Sequence, residues 1–189
     1  MGGSESRPGY RIMEILNNSP GDKESFQIFL DFIVSLNGTN LIESQLPFQE
    51  LIKANENCPI TLGVLNLLTS EIREVIITPS KWEGEGLLGI NLRYEDSIEA
   101  SQSIMHITSI RPNSPASNVG LVVGDYILGS KEAKIKSAND IQTIIYKNGE
   151  ITLVIFNKES NKVFPVLLES VDGYIGIEVA TGVFHRLSS

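Results

Sequence analysis

The chain carries one pattern twice, and that repeat limits its folds more than any other feature. Asn18-Ser19-Pro20 recurs as Asn113-Ser114-Pro115, and Asp31-Phe32-Ile33-Val34 recurs as Asp125-Tyr126-Ile127-Leu128. The apolar triplet Phe48, Leu51, Ile52 returns as Ile141, Ile144, Ile145. Ile60-Thr61-Leu62 returns as Ile151-Thr152-Leu153, and Gly86, Gly89, Ile90 as Gly173, Gly176, Ile177. The offset shrinks in order from 95 to 94, 93, 91 and 87 residues, as in a duplication whose loops alone have lost length. A period of roughly 90 residues is too long for a solenoid and is the size of a small domain. The division expected is an N-terminal segment 1–9, a first domain 10–94, a polar and aperiodic linker 95–102, and a second domain 103–189.

Each copy reads as mainly β with short helices. Residues 10–16 alternate as a strand does, and Asn18-Ser19-Pro20-Gly21 breaks them with turn chemistry. A short helix is expected through 26–29. The β-rich run 31–36 ends in Asn37-Gly38, a strong hairpin signal. Pro47 suits a first helical turn, and Phe48, Leu51 and Ile52 at i, i+3 and i+4 predict a helix over 47–55. Residues 60–66 and 72–78 read as two strands. In the second copy Ser137 and Asp140 are spaced as a capping-box variant, and Gly149 stands where a C-cap glycine belongs. The inventory predicts an α+β fold in which each copy is a small, partly open β-barrel capped by two helices.

The glycine loop of each copy carries the functional signal. Gly84, Gly86 and Gly89 spell G-x-G-x-x-G, but a dinucleotide fingerprint opens a helix and this one opens the alternating run Ile90-Asn91-Leu92-Arg93-Tyr94. A turn of two glycines flanking two apolar residues suits a different task. Its successive backbone N–H groups can converge on a carboxylate, as in a nest, and the strand that follows can offer its edge to a peptide. The expected site comprises the N–H groups of Leu87, Leu88 and Gly89, the strand residues Ile90 and Leu92, and Leu51 and Asn55 on the facing helix.

Charge and composition exclude other classes. The formal net charge is −8 with 15 basic residues scattered along the chain, which argues against nucleic acid; the cluster Lys131, Lys134, Lys136 reads as a solvated loop. Only two histidines occur, and neither stands in a G-x-S-x-G or H-E-x-x-H context, so catalysis is not expected. His106 reads as half-buried in a strand. Cys58, the one cysteine, cannot form a bridge within the chain and reads as a small half-buried residue; no zinc-ligand spacing, and no cofactor site, is apparent. No signal peptide is recognisable, which points to the cytosol. Met1-Gly2-Gly3-Ser4-Glu5-Ser6 fits the pattern for myristoylation of Gly2, although a Gly-Gly-Ser lead is also what a cloning scar leaves.

Several runs together resemble the GRASP family, the Golgi reassembly and stacking proteins, over residues 9–187. They are Asp31 through Gly38, Leu51-Ile52-Lys53-Ala54-Asn55, Thr78-Pro79-Ser80-Lys81-Trp82 with Gly84 through Tyr94, Asn113-Ser114-Pro115-Ala116, Gly124 through Gly129, and Phe184-His185-Arg186. The resemblance implies two tandem, circularly permuted PDZ-like domains, since the carboxylate loop precedes the last strand of each copy. It also implies a non-catalytic scaffold that is anchored by myristate on Gly2 to the cytoplasmic face of Golgi membranes. Such a scaffold self-associates to link cisternae and binds the C-terminal tails of coiled-coil golgins. A soluble PDZ-type adaptor in trafficking or unconventional secretion is the alternative, and a protease-associated PDZ module a more distant one. In the second copy Glu169-Ser170-Val171-Asp172-Gly173 replaces the longer Trp82-bearing loop, and Glu178 projects from its strand. The second groove, Gly173 to Val179, is therefore expected not to take a C-terminus in the same way. The family's Ser/Pro-rich regulatory tail would follow Ser189.

Overall fold

The structure, a computed structural model, describes residues 7–182 and divides between Ile98 and Glu99 into two compact units. The first contains strands β1 (Pro8–Ile15), β2 (Asp31–Leu36), β3 (Thr39–Asn40), β4 (Ile60–Asn66), β5 (Ile72–Ile77) and β6 (Ile90–Asp96), with helix α1 (Phe48–Ala54). Its sheet runs β5-β4-β2-β1-β6, every neighbour antiparallel, and β3 pairs with β2. Helix α2 (Ser97–Gln102) follows.

The second unit repeats the plan with β7 (Met105–Ile110), α3 (Pro115–Asn118), β8 (Tyr126–Ser130), α4 (Ala138–Asn148), β9 (Glu150–Asn157), β10 (Lys162–Glu169) and β11 (Ile177–Ala180). Its sheet order, β10-β9-β8-β7-β11, is that of the first unit strand for strand. These are tandem PDZ-like domains. Both sheets stay open, so the partly open barrels do not close: among the described residues β6 and β11 each end a sheet with one edge unpaired by any strand.

The repeated apolar residues build two separate cores. In the first, alternate residues Ile12, Ile33, Leu62 and Val64 face inward, and Phe48 and Ile52 of α1 close over them. In the second, Ile107, Ile127, Leu153 and Ile155 do the same under Ile141 and Ile145 of α4. Local chemistry agrees with the packing. Asn37 and Gly38 both take positive φ, at 49° and 79°, as the tight β2–β3 hairpin requires. Ser137 and Asp140 form a reciprocal capping box, and Gly149 ends α4 at φ 77°. A buried aspartate opens β2 and just precedes β8, each taking an amide hydrogen bond from an asparagine: Asn66 Nδ2 to Asp31 Oδ1 at 2.7 Å and Asn157 Nδ2 to Asp125 Oδ1 at 2.6 Å.

Four local expectations give way to tertiary structure. No helix forms at 26–29; a 3-10 turn lies earlier, at Gly21–Lys23, and Phe29 adopts φ 62° while its N–H donates to Ile12 O. Residues 95–102 are not irregular chain. Glu95 and Asp96 finish β6, and the rest is α2, started by an N–H of Ile98 on the Asp96 carboxylate. Cys58 is exposed rather than half-buried. Lys134 and Lys136 are not merely solvated, since both pair with Glu99.

Candidate peptide-binding sites

In the first unit the segment from Gly86 to Gly89 is tied down entirely through its carbonyls. Gly86 O accepts from Trp82 Nε1 at 3.1 Å, Leu87 O from Ser80 N at 3.0 Å, and Leu88 O from Gly21 N at 2.8 Å. Gly89 O accepts from Leu16 N at 2.9 Å. A trans peptide unit points its C=O and the next N–H in opposite directions. With the carbonyls of Gly86, Leu87 and Leu88 turned into the protein, the N–H groups of Leu87, Leu88 and Gly89 therefore point away from those anchors. Among the described residues none of the three finds an acceptor. Three successive free donors at the entrance to an edge strand are the arrangement that a carboxylate requires.

Two packing devices hold that loop. A methyl group at Gly89 would overlap the Cβ of fully buried Ser19, and at φ 65° the position is in any case one that side chains avoid. The Trp82 ring also lies against Gly84 and Gly89, leaving neither room for a side chain. Strand β6 is held by a buried ion pair to β1, Arg11 Nη1 to Glu95 Oε1 at 2.9 Å, with both side chains under 5% exposed. Burial is the largest influence on Arg11 and lowers its pKa to about 10 against the pull of Glu95. Burial likewise raises the Glu95 carboxyl, but hydrogen bonds and charge from Arg93 and Arg11 outweigh it and leave the carboxyl below its ordinary range.

The residues expected to form the site come together only in part. Leu51 of α1 and Leu87, Ile90 and Leu92 are half-buried and pack on the same core, and Tyr10 links the two sides, its ring 4.9 Å from Phe48 and 5.1 Å from Tyr94. Leu88 is only 6% exposed, so it belongs to the core more than to a groove wall. Asn55 spends its amide on its own helix, donating to Leu51 O at 2.8 Å. Gly2 and the Phe184-His185-Arg186 run lie outside the described residues.

The second unit copies the anchors: Ile175 O accepts from Ala116 N at 3.0 Å and Gly176 O from Arg111 N at 2.9 Å. Ser114 meets Gly176 as Ser19 meets Gly89. Tyr174, however, spends its N–H on Val171 O, so among the described residues only Ile175 and Gly176 keep free donors there. A cavity of about 260 Å³ opens between α4, at Ala138, Ile141 and Gln142, and β11, at Ile177 to Val179. Glu178 lines it, Gln142 Nε2 braces the loop through Gly173 O at 2.9 Å, and the Arg111 guanidinium stands 5.6 Å from the Tyr174 ring centre. The groove is formed, but with different chemistry.

Over residues 4–92 and again over 76–189 the sequence matches the family model described as the GRASP55/65 PDZ-like domain. The chain belongs to the GRASP family. Golgi reassembly-stacking protein 1 of Mus musculus is 30% identical over 200 residues, which cover 99% of this chain and 45% of that protein. The Homo sapiens protein of the same name is 30% identical over 195 residues, 98% of this chain and 43% of its own. An uncharacterized protein of Schizosaccharomyces pombe is 27% identical over 192 residues, 97% of this chain and 54% of its own. This GRASP region thus spans about half the length of those relatives. Among the described residues no three His, Cys, Asp or Glu side chains gather as a metal site, and no helix is long and apolar enough to cross a membrane. Sequence reasoning about this GRASP pair missed the serine–glycine contacts and the Arg11–Glu95 pair; the recurrence of Asn-Ser-Pro with Gly89 and Gly176 held the signal for the first.

Proposed function

We propose that this chain is a non-catalytic scaffold of Golgi membranes that captures the C-terminal carboxylate of partner proteins in its first PDZ-like groove. The observation that carries the reading is the row of three acceptor-less N–H groups at Leu87, Leu88 and Gly89, set at the start of the unpaired edge of β6. A partner tail adds there as an antiparallel strand, its last side chain lying between the half-buried faces of Leu51 and Ile90. The Golgi reassembly-stacking proteins among its relatives support a Golgi setting.

In this reading myristate on Gly2 faces the cytoplasmic leaflet. One such chain binds membranes only marginally, with K of about 10⁴ M⁻¹. Firm attachment therefore needs a second contact, supplied by a golgin tail or by a second copy of this chain on the same or an opposing membrane. Vesicle clustering tests the tether. Myristoylated protein plus vesicles bearing a partner tail cluster, whereas Gly2→Ala protein leaves them dispersed. Clustering that is indifferent to Gly2 overturns the anchor. Tail binding without clustering by the myristoylated protein leaves a soluble adaptor.

A further inference from the structure

The face of the first sheet bears a hollow that the peptide groove does not use. Its volume is about 330 Å³, and its lining includes Arg7, Pro8, Val34, Ile42, Leu65 and Ile72, with Arg7 the one charged residue among the described ones. Ile42 and Ile72, both in that lining, are large apolar groups 50% and 57% exposed. Near Ile72, Gly63 pairs with Ser35 across β4 and β2, and the place that a Cβ would take there is filled by Ser35 Oγ, with Ile72 3.7 Å away. The corresponding residue of the second unit, between the repeated Leu62/Leu153 and Val64/Ile155 positions, is Val154, fully buried and paired with Gly129. This glycine–serine pairing thus belongs to the unit that carries the N-terminal segment.

We propose that this hollow holds the acyl chain of Gly2 when the protein is off the membrane; the inference rests on the acylation of Gly2 proposed above. Two residues of the lining, Arg7 and Pro8, are the point at which the N-terminal segment joins β1. Five residue steps separate Gly2 from Arg7, a reach of up to about 17 Å, so an acyl chain on Gly2 can fold back over Pro8 into the lining. A ligand tethered so closely has an effective concentration on the order of millimolar. Against a membrane affinity of only about 10⁴ M⁻¹, a pocket of modest intrinsic affinity competes on equal terms. Myristate is thereby exchanged between protein and bilayer, and a partner tail or second copy already on the membrane draws it out.

The test uses the full chain, acylated and unacylated, and the variant Ile42→Gln/Ile72→Gln, whose two sites are exposed enough to leave the fold intact. In the first arm, a synthetic myristoyl-Gly2-to-Arg7 peptide is titrated into isotope-labelled unacylated protein. Amide resonances of Val34, Leu65 and Ile72 shift in the wild type, while the variant binds at least fivefold more weakly and the unacylated peptide causes no shift. In the second arm, acylated variant partitions onto neutral phosphatidylcholine vesicles three- to tenfold better than acylated wild type. No resonance shift in the hollow, or equal partitioning of the two acylated proteins, overturns the proposal. If intact mass shows Gly2 unmodified after co-expression with a myristoyltransferase, the anchor reading fails by that result alone, and the peptide arm still decides whether the hollow takes an acyl chain.

Discussion

Ser19 stands where a side chain at Gly89 would begin, and Ser114 stands in the same relation to Gly176. The contact fixes each glycine loop against the turn after the first strand of its unit. Gly89→Ala therefore combines a buried overlap with a left-handed backbone at φ 65°, and is expected to cost about 3 kcal/mol. Gly86→Ala, at φ 73° but in open space, is expected to cost only about 1 kcal/mol. Urea titration of the two variants checks the difference.

Glu95 gives a second prediction. Glu95→Gln removes the carboxylate that is ion-paired with the buried Arg11 guanidinium, and destabilisation of about 3 kcal/mol at pH 7 is expected. Replacing the pair together, as Arg11→Met/Glu95→Leu, costs less than the single change. The pH dependence follows from the depressed carboxyl of Glu95. Its contribution is complete above the unfolded glutamate pKa of about 4.3 and is lost as pH falls through the lower folded value. Wild type and Glu95→Gln should converge in stability on acidification through that window, as measured by chemical denaturation from pH 7 to pH 3.

A chain truncated to residues 99–188 should fold by itself. It retains one complete core, from Met105 to Ile175, and the Glu99 pairs with Lys134 and Lys136. A cooperative thermal transition with dispersed amide resonances is expected. A chain starting at Ser103 omits Glu99 and should melt a little lower.

What could be read in the sequence was whatever repeats locally. The alternation in 60–66, the Asn37-Gly38 hairpin and the Ser137–Asp140 box are decided by neighbours within a few residues, and the structure places them where the pattern does. The helix expected at 26–29 is absent because Phe29 and Leu30 are drawn into burial and Phe29 N donates to Ile12 O, long-range demands with no local period. Leu88 is similar: a two-glycine turn marks the loop, but not which of its two leucines enters the core. Glu95 and Arg11 are 84 residues apart, and nothing in either neighbourhood announces their pairing. The second cavity was not legible for another reason: its walls, β11 and α4, are about 40 residues apart in sequence and meet only in the fold.

The two grooves should differ in what they accept. With two free donors and Glu178 on its wall, the second groove should favour ligands with a basic residue facing that carboxylate, and Glu178→Gln should weaken such a ligand about three- to tenfold without affecting the first groove. Competition titrations with peptides that do and do not carry the basic residue read this directly.

Calorimetry on the first groove tests the central claim most directly. The ligand is a peptide with an apolar last residue, selected from a library displayed with free C-termini, and synthesised as the free acid and as the amide. The free acid should bind about ten- to a hundredfold more tightly, because the amide forfeits charge-assisted bonds worth about 1–3 kcal/mol. Leu87→Asp, at a half-buried site that spares the core residue Leu88, should weaken the free acid further by placing a like charge beside it. Equal affinities for acid and amide, with Leu87→Asp folded and indifferent, would contradict the account.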